Sequence, residues 1–150
     1  MMMKWVYMLL ALAGGMMAGT QAPINGSLGK KIGSLEGAFT SFFVGLLFLT
    51  FLTLFFGKGQ LVNVFYVPKW NLLGGLLGAV FVTIMIVTVP KTGAATAIFA
   101  AIAGQMIASL LIDHFGWFGV PKIPINMNRM LGVVLMILAL FFIHRGSKWT

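Results

Sequence analysis

Apolar runs recur along this chain at the length needed to cross a bilayer, and almost no charge interrupts them. Each run is closed by lysine, proline or glycine. A span needs about 20 predominantly apolar residues, and five stretches approach that length, at about 5–28, 34–56, 71–89, 92–115 and 126–144. Charged residues make up 8% of the chain, whereas a soluble domain carries roughly a quarter. Too little polar surface exists to cover a globule in water, so lipid is the solvent. The expected fold is an all-α integral membrane protein, residues 1–150 forming a single transmembrane domain of five helices.

The boundaries follow from the interruptions. Met1–Met17 with the small residues Ala18-Gly19 has the composition of a secretion signal, and is read here as a retained first helix. The segment Gly29-Lys30-Lys31-Ile32-Gly33 is expected to break helix 1 from helix 2, and Gly57-Lys58-Gly59-Gln60 to end helix 2. Leu61–Val67 is too short to span and is expected to lie in the interface, ahead of Pro68-Lys69-Trp70-Asn71. Pro90-Lys91 should close helix 3, and a glycine, proline and tryptophan loop over 116–124 should separate helices 4 and 5. Helix 5 has a short charge-free core, Met130–Ile143, which Asn126–Asn128 extend because Arg129 can snorkel. Trp5, Trp70, Trp117 and Trp149 fall near helix ends, at headgroup depth.

The formal charge is +8, from 10 basic and 2 acidic residues. The basic residues stand singly or in pairs between apolar runs, which suits lipid headgroups and excludes a nucleic-acid surface. Cysteine is absent, so disulfides and thiolate metal sites are excluded. His114 and His144 are too far apart in sequence to suggest a metal site. No nucleophile–base pair, metal cluster or phosphate loop is present, so neither an enzyme nor a cofactor is expected.

Five spans put the two ends of the chain on opposite sides. One side then carries Lys4, Lys58, Lys69, Lys122 and Arg129, and the other Lys30, Lys31, Lys91, Arg145 and Lys148. The positive-inside rule orients a protein through an imbalance, and here there is none. Two copies inserted in opposite senses would reproduce the inverted repeat that larger transporters hold within one chain. The expected partner is therefore a second, inverted copy. One alternative is an accidental balance, with another partner or insertion kinetics fixing one topology; another is an accessory or structural subunit forming half of a heterodimer with a paralogue.

Small residues four apart let helices approach closely in lipid. Gly15 and Gly19, Gly74 and Gly78, and a helix 4 stripe through Gly93, Ala97, Ala101 beside Thr96, Ala100, Gly104, Ala108 are expected packing faces. Polar residues inside spans are costly and point to function. Gln21 and Asn25 lie four apart, on one face of helix 1, with Pro23 between them withholding a donor from the carbonyl of Gly19. That combination suits a helix lining a cavity and hinging at Pro23. Gln105, with Ser109 one turn on, is either a further cavity residue or interhelical glue. Thr40, Ser41, Thr83 and Thr88 are expected to bond carbonyls of their own helices. Glu36, behind an expected Ser34 cap, and Asp113-His114 at the end of helix 4 are either boundary features or carriers of a proton or counter-charge.

Several segments together resemble a known family. They are Gln21-Ala22-Pro23-Ile24-Asn25-Gly26-Ser27-Leu28-Gly29 with Gly33-Ser34 and Ser41-Phe42; Leu73-Gly74-Gly75-Leu76-Leu77-Gly78-Ala79 closing at Pro90; Gly104-Gln105, Ser109 and Ile112-Asp113-His114-Phe115-Gly116; and Arg129-Met130-Leu131-Gly132. The chain resembles the five-helix, YdcZ-like inner-membrane exporters of the drug/metabolite transporter superfamily. The likeness covers nearly the whole chain. It departs at Leu35-Glu36, where proline is expected after Gly33-Ser34, and at Lys69-Trp70-Asn71, which replaces a more aromatic run. The resemblance implies a bacterial-type inner-membrane location and a transporter fold, with five-helix halves paired in opposite orientations around a central cavity. It supplies no substrate; the small polar or aromatic solute expected as partner follows from the neutral amides and from aromatic walls that can hold organic cations.

Overall fold

The computed structural model describes residues Met2–Gly146, so Lys148 and Trp149 lie outside the described residues. Five long helices account for most of the chain: α1 (Met2–Ile32), α2 (Ser34–Phe56), α3 (Leu73–Thr92), α4 (Ala94–Phe115) and α5 (Met127–Gly146). Short 3-10 turns at Leu61–Phe65, Lys69–Leu72 and Trp117–Gly119 fill two of the connections. Among the described residues there is no strand. The protein is an all-α membrane protein.

Among the described residues, four segments are long and apolar enough to cross a membrane: Ser34–Phe56, Lys69–Thr92, Ala94–Phe115 and Met127–Gly146. α1 is not among them, although it is the longest helix at 31 residues. At a rise of 1.5 Å per residue it would measure about 46 Å, longer than a hydrocarbon core of about 30 Å. Gln21, Asn25, Lys30, Lys31 and its glycines dilute its apolar content.

The helices begin and end for local reasons that differ in places from expectation. α1 does not break at Gly29 but runs through Lys30-Lys31, two cations that complement the negative end of the helix dipole. The whole break is one residue, Gly33, at φ 103° and ψ 151°. That backbone region is open essentially to glycine alone. Gly93, expected within the helix 4 stripe, instead starts α4 from outside it, in nearly the same conformation (φ 82°, ψ 151°). Pro90 lies inside α3, which continues to Thr92 rather than closing at Val89. A late proline removes only one hydrogen bond before the helix ends anyway.

The chain divides into two units, residues 1–91 and 92–150. In the first, α1 and α2 form a hairpin about Gly33, and the end of α3 packs against α1. The core uses Ala22, Asn25, Gly26 and Gly29 of α1, Gly37 and Ala38 of α2, and Met85, Ile86 and Val89 of α3. Ile86 is the most enclosed, at 2% exposure. The residues 22, 25, 26 and 29 recur at helical spacing, so one face of α1 is buried. Glycine is required there by contact: a β-carbon at Gly29 would strike Ile86, and one at Gly37 would lie 3.1 Å from the Cα of Gly29. A β-carbon at Gly26 would lie 3.4 Å from the ring of Pro90.

Close packing inside the unit therefore sits at Gly26, Gly29 and Gly37. A β-carbon built at Gly78 would meet only the ring of Phe42, at 3.7 Å, while those built at Gly15, Gly74 and Gly104 meet nothing within 4 Å. Gly19 is half-buried.

In the second unit α4 and α5 form a hairpin joined by residues 116–126. Thr96, Ala97, Ala103 and Leu110 are the buried residues of α4. Gly116 ends α4 in the left-handed region (φ 69°), its N–H donating to the Ile112 carbonyl.

Candidate functional site

Within the first unit the polar residues converge on the α1–α2 contact. Asn25 is buried, at 6% exposure, and its Oδ1 accepts from the Ser41 hydroxyl at 3.2 Å. Ser41 was expected to bond its own helix, but bridges to α1 instead. Thr40 and Thr83 do back-bond, to the Glu36 carbonyl at 2.7 Å and the Ala79 carbonyl at 2.8 Å. Residues equidistant from Gly33 face each other across the hairpin, which pairs 25 with 41 and 29 with 37. A side chain at position 41 that can donate is thus held against the one buried amide of α1.

Gln21, one turn before Asn25, is exposed. With Ala13, Met16, Met17, Thr20 and Ile24 it lines an open hollow of about 580 Å³ along α1. The two amides therefore occupy different surroundings: Asn25 faces α2, and Gln21 faces the hollow. A step of four residues turns the helix by about 40° beyond a full turn, enough to separate them. Pro23 lies between them on the exposed side, and α1 remains helical through it. The carbonyl of Gly19 is left without its usual helical donor.

Glu36 stands in the first turn of α2, exposed, with its carboxylate folded against Gly33. The expected Ser34 cap is not formed. Gly33 holds the N-cap position, Ser34 is the first helical residue, and no side chain caps the helix. The acidic group near the positive end of the dipole takes over part of that role.

In the second unit Gln105 and Ser109 are exposed, and the Ser109 hydroxyl donates to the Met106 carbonyl at 3.0 Å. The polar cluster lies one turn further on. Asp113 Oδ2 accepts from Arg129 Nη2 at 3.0 Å, with the two side chains 30% and 27% exposed. The Asp113 carbonyl accepts from Ile123 N–H at 2.8 Å, and His114 Nδ1 accepts from Ile125 N–H at 3.3 Å. The proton of a neutral His114 is thereby placed on Nε2. Asn126 caps α5, its Oδ1 accepting from Arg129 N–H at 3.0 Å. Asp113 and His114 thus hold the connection to α5. Arg129, expected only to snorkel, is the counter-ion of Asp113, and its Nη1 is buried without a partner. Acid and base stand at the two helix ends that this loop joins, which was the one sign in the sequence that they could meet.

Among the described residues no group of three or more histidine, cysteine or acidic side chains is placed to hold a metal. The first unit thus offers neutral amides and hydroxyls, and the second an ion pair beside a hydrogen-bonded loop.

Comparison with known proteins gives two matches. The family model described as "Putative inner membrane exporter, YdcZ" matches residues 6–142. The inner membrane protein YdcZ of Escherichia coli (strain K12) is 35% identical over 91 residues, which cover 61% of this chain and 59% of that relative. The chain thus spans about three fifths of the relative's length in this match. No solved structure matches.

Proposed function

The chain belongs to the family described as "Putative inner membrane exporter, YdcZ", and from that premise we propose that it moves a small solute across the inner membrane by alternating access, as half of an antiparallel homodimer. Its multi-pass location in the inner membrane follows from the family and from its apolar helices. The observation that carries the transport reading is Asn25. It is a buried amide, one of two buried polar residues among those described, and it sits one turn from an exposed amide and beside a proline. A polar group inside a membrane helix is costly, and the Ser41 hydroxyl engages Asn25 through its Oδ1. α1 serves as the fifth span, with Gln21 and Asn25 as the solute contacts, Pro23 as the hinge, and Gln105 and Ser109 as further contacts from α4. Asp113, His114 and Glu36 are the groups available to carry a proton or a counter-charge.

Two features support the inverted pair. The even division of basic residues leaves insertion unbiased. The faces at Gly15, Gly74 and Gly104 are open within their own units, as close-approach surfaces awaiting another helix would be.

Purified protein reconstituted in liposomes tests the transport reading with a panel of cationic, zwitterionic and anionic solutes. Uptake that falls in Asn25→Ala is expected, and no flux or binding for any solute would overturn it. The lack of native cysteine allows one cysteine at each end in turn to be labelled with an impermeant maleimide. Dual topology requires each end to label from both sides, and one-sided labelling removes the antiparallel homodimer.

A further inference from the structure

The connection between α2 and α3, residues 57–72, takes no part in the polar sites above. It consists of two 3-10 turns, Leu61–Phe65 and Lys69–Leu72, on either side of Pro68. Side chains three apart eclipse in a 3-10 helix. Gln60, Asn63 and Tyr66 therefore share one edge, Leu61 and Val64 a second, and Val62 and Phe65 a third. The polar edge is tied together, with Asn63 Nδ2 donating to Gln60 Oε1 at 3.4 Å and Tyr66 N–H donating to the Asn63 carbonyl at 3.0 Å. The two other edges are wholly apolar and exposed, Leu61 at 75% and Phe65 at 83%.

Both flanking helices are membrane-spanning candidates, so the connection is held at one membrane surface. An element with two apolar edges and one polar edge is stable there when it lies in the plane, apolar edges toward the acyl chains. Its ends carry Lys58 and Lys69, and no acidic residue occurs between Glu36 and Asp113. Each lysine near an anionic surface favours attachment roughly fivefold. We propose that residues 57–68 form an interfacial anchor that lies in the membrane plane and holds anionic phospholipid headgroups through Lys58 and through Lys69, which opens the following span. The inference rests on the membrane location alone and stands whether or not the chain transports a solute.

Because the chain has no cysteine, spin labels can be placed singly at Val62→Cys, Asn63→Cys and Phe65→Cys in full-length protein. In phosphatidylcholine vesicles containing phosphatidylglycerol, labels at 62 and 65 should be more accessible to oxygen than to a water-soluble nickel chelate, and the label at 63 the reverse. Removing phosphatidylglycerol should raise the label at 65 toward the water, and Lys58→Gln with Lys69→Gln should abolish that dependence. All three labels reporting water would overturn the anchor. So would labels shielded from both reagents, which would mean that protein, such as a second copy, covers the segment. A lipid dependence that survives loss of both lysines would overturn their role as headgroup ligands.

Discussion

Asn25 and Ser41 lie equidistant from Gly33 and meet across the α1–α2 hairpin in a hydrogen bond of 3.2 Å. The single glycine sets the register of the hairpin, and the register decides which polar groups meet. Ser41→Ala should cost about 0.6 kcal/mol, with an upper bound near 1.7, the range for interhelical hydrogen bonds in membrane proteins. A double-mutant cycle with Asn25→Ala, read by thermal unfolding in detergent, should show coupling of that order. Additive effects would mean the bond contributes nothing.

The glycines of the same contact make a sharper prediction, because two classes of glycine behave differently. Gly29→Ala and Gly37→Ala insert a methyl group against Ile86 and the Gly29 backbone, and should each cost about 1–3 kcal/mol through overpacking. Gly104→Ala meets nothing in the chain and should change monomer stability by no more than about 0.5 kcal/mol. If Gly104→Ala instead shifts the oligomeric state in a crosslinking assay, its open face is an intermolecular contact.

Gly33→Ala introduces both strain and a clash, and the two can be separated. At φ 103° any side chain is strained, and a β-carbon would also meet the Glu36 carboxylate. The substitution should destabilise by about 1–3 kcal/mol. Glu36→Ala in the same chain should recover the clash and leave the strain, so stability should return only in part. Full recovery would show that the backbone conformation carries no cost.

The Asp113–Arg129 pair is less than one third exposed, so breaking it from one side leaves an uncompensated charge. Asp113→Asn should destabilise more than the paired replacement Asp113→Asn with Arg129→Gln, by on the order of 1–3 kcal/mol. Proteolytic nicking of the 116–126 loop should increase in step, since the Asp113 carbonyl and His114 Nδ1 hold Ile123 and Ile125. Equal loop protection in wild type and Asp113→Asn would show that the pair does not order the loop.

Much of the site was legible residue by residue, but not pair by pair. Asn25 stood out because an amide in a span is costly, and Asp113-His114 because acids are so rare here. Gln21 was grouped with Asn25 on helical spacing, yet the two lie on opposite sides of a burial boundary that spacing cannot locate. Ser41 was assigned to its own helix because serine usually finds a carbonyl four residues back. Arg129 was read as a lipid-facing cation, because only the folded loop brings it to Asp113. The glycines show the same limit: four-residue spacing occurs at Gly15 and Gly74 as well as at Gly29, and only a neighbouring helix distinguishes the one crowded within its unit.

Class, solvent and helix count came from the residues alone, since transfer into lipid is summed over local composition and depends little on what stands opposite. The sequence places the break between α1 and α2 within 29–33, and the fold narrows it to Gly33, whose backbone few other residues tolerate. Partner choice belonged to the tertiary structure. Which glycine is crowded, which amide is buried and which charge is paired depend on the rotational phase of each helix against the next. That phase is a property of contacts between distant segments, and the weakly amphipathic helices of a membrane protein leave little trace of it in their own sequence.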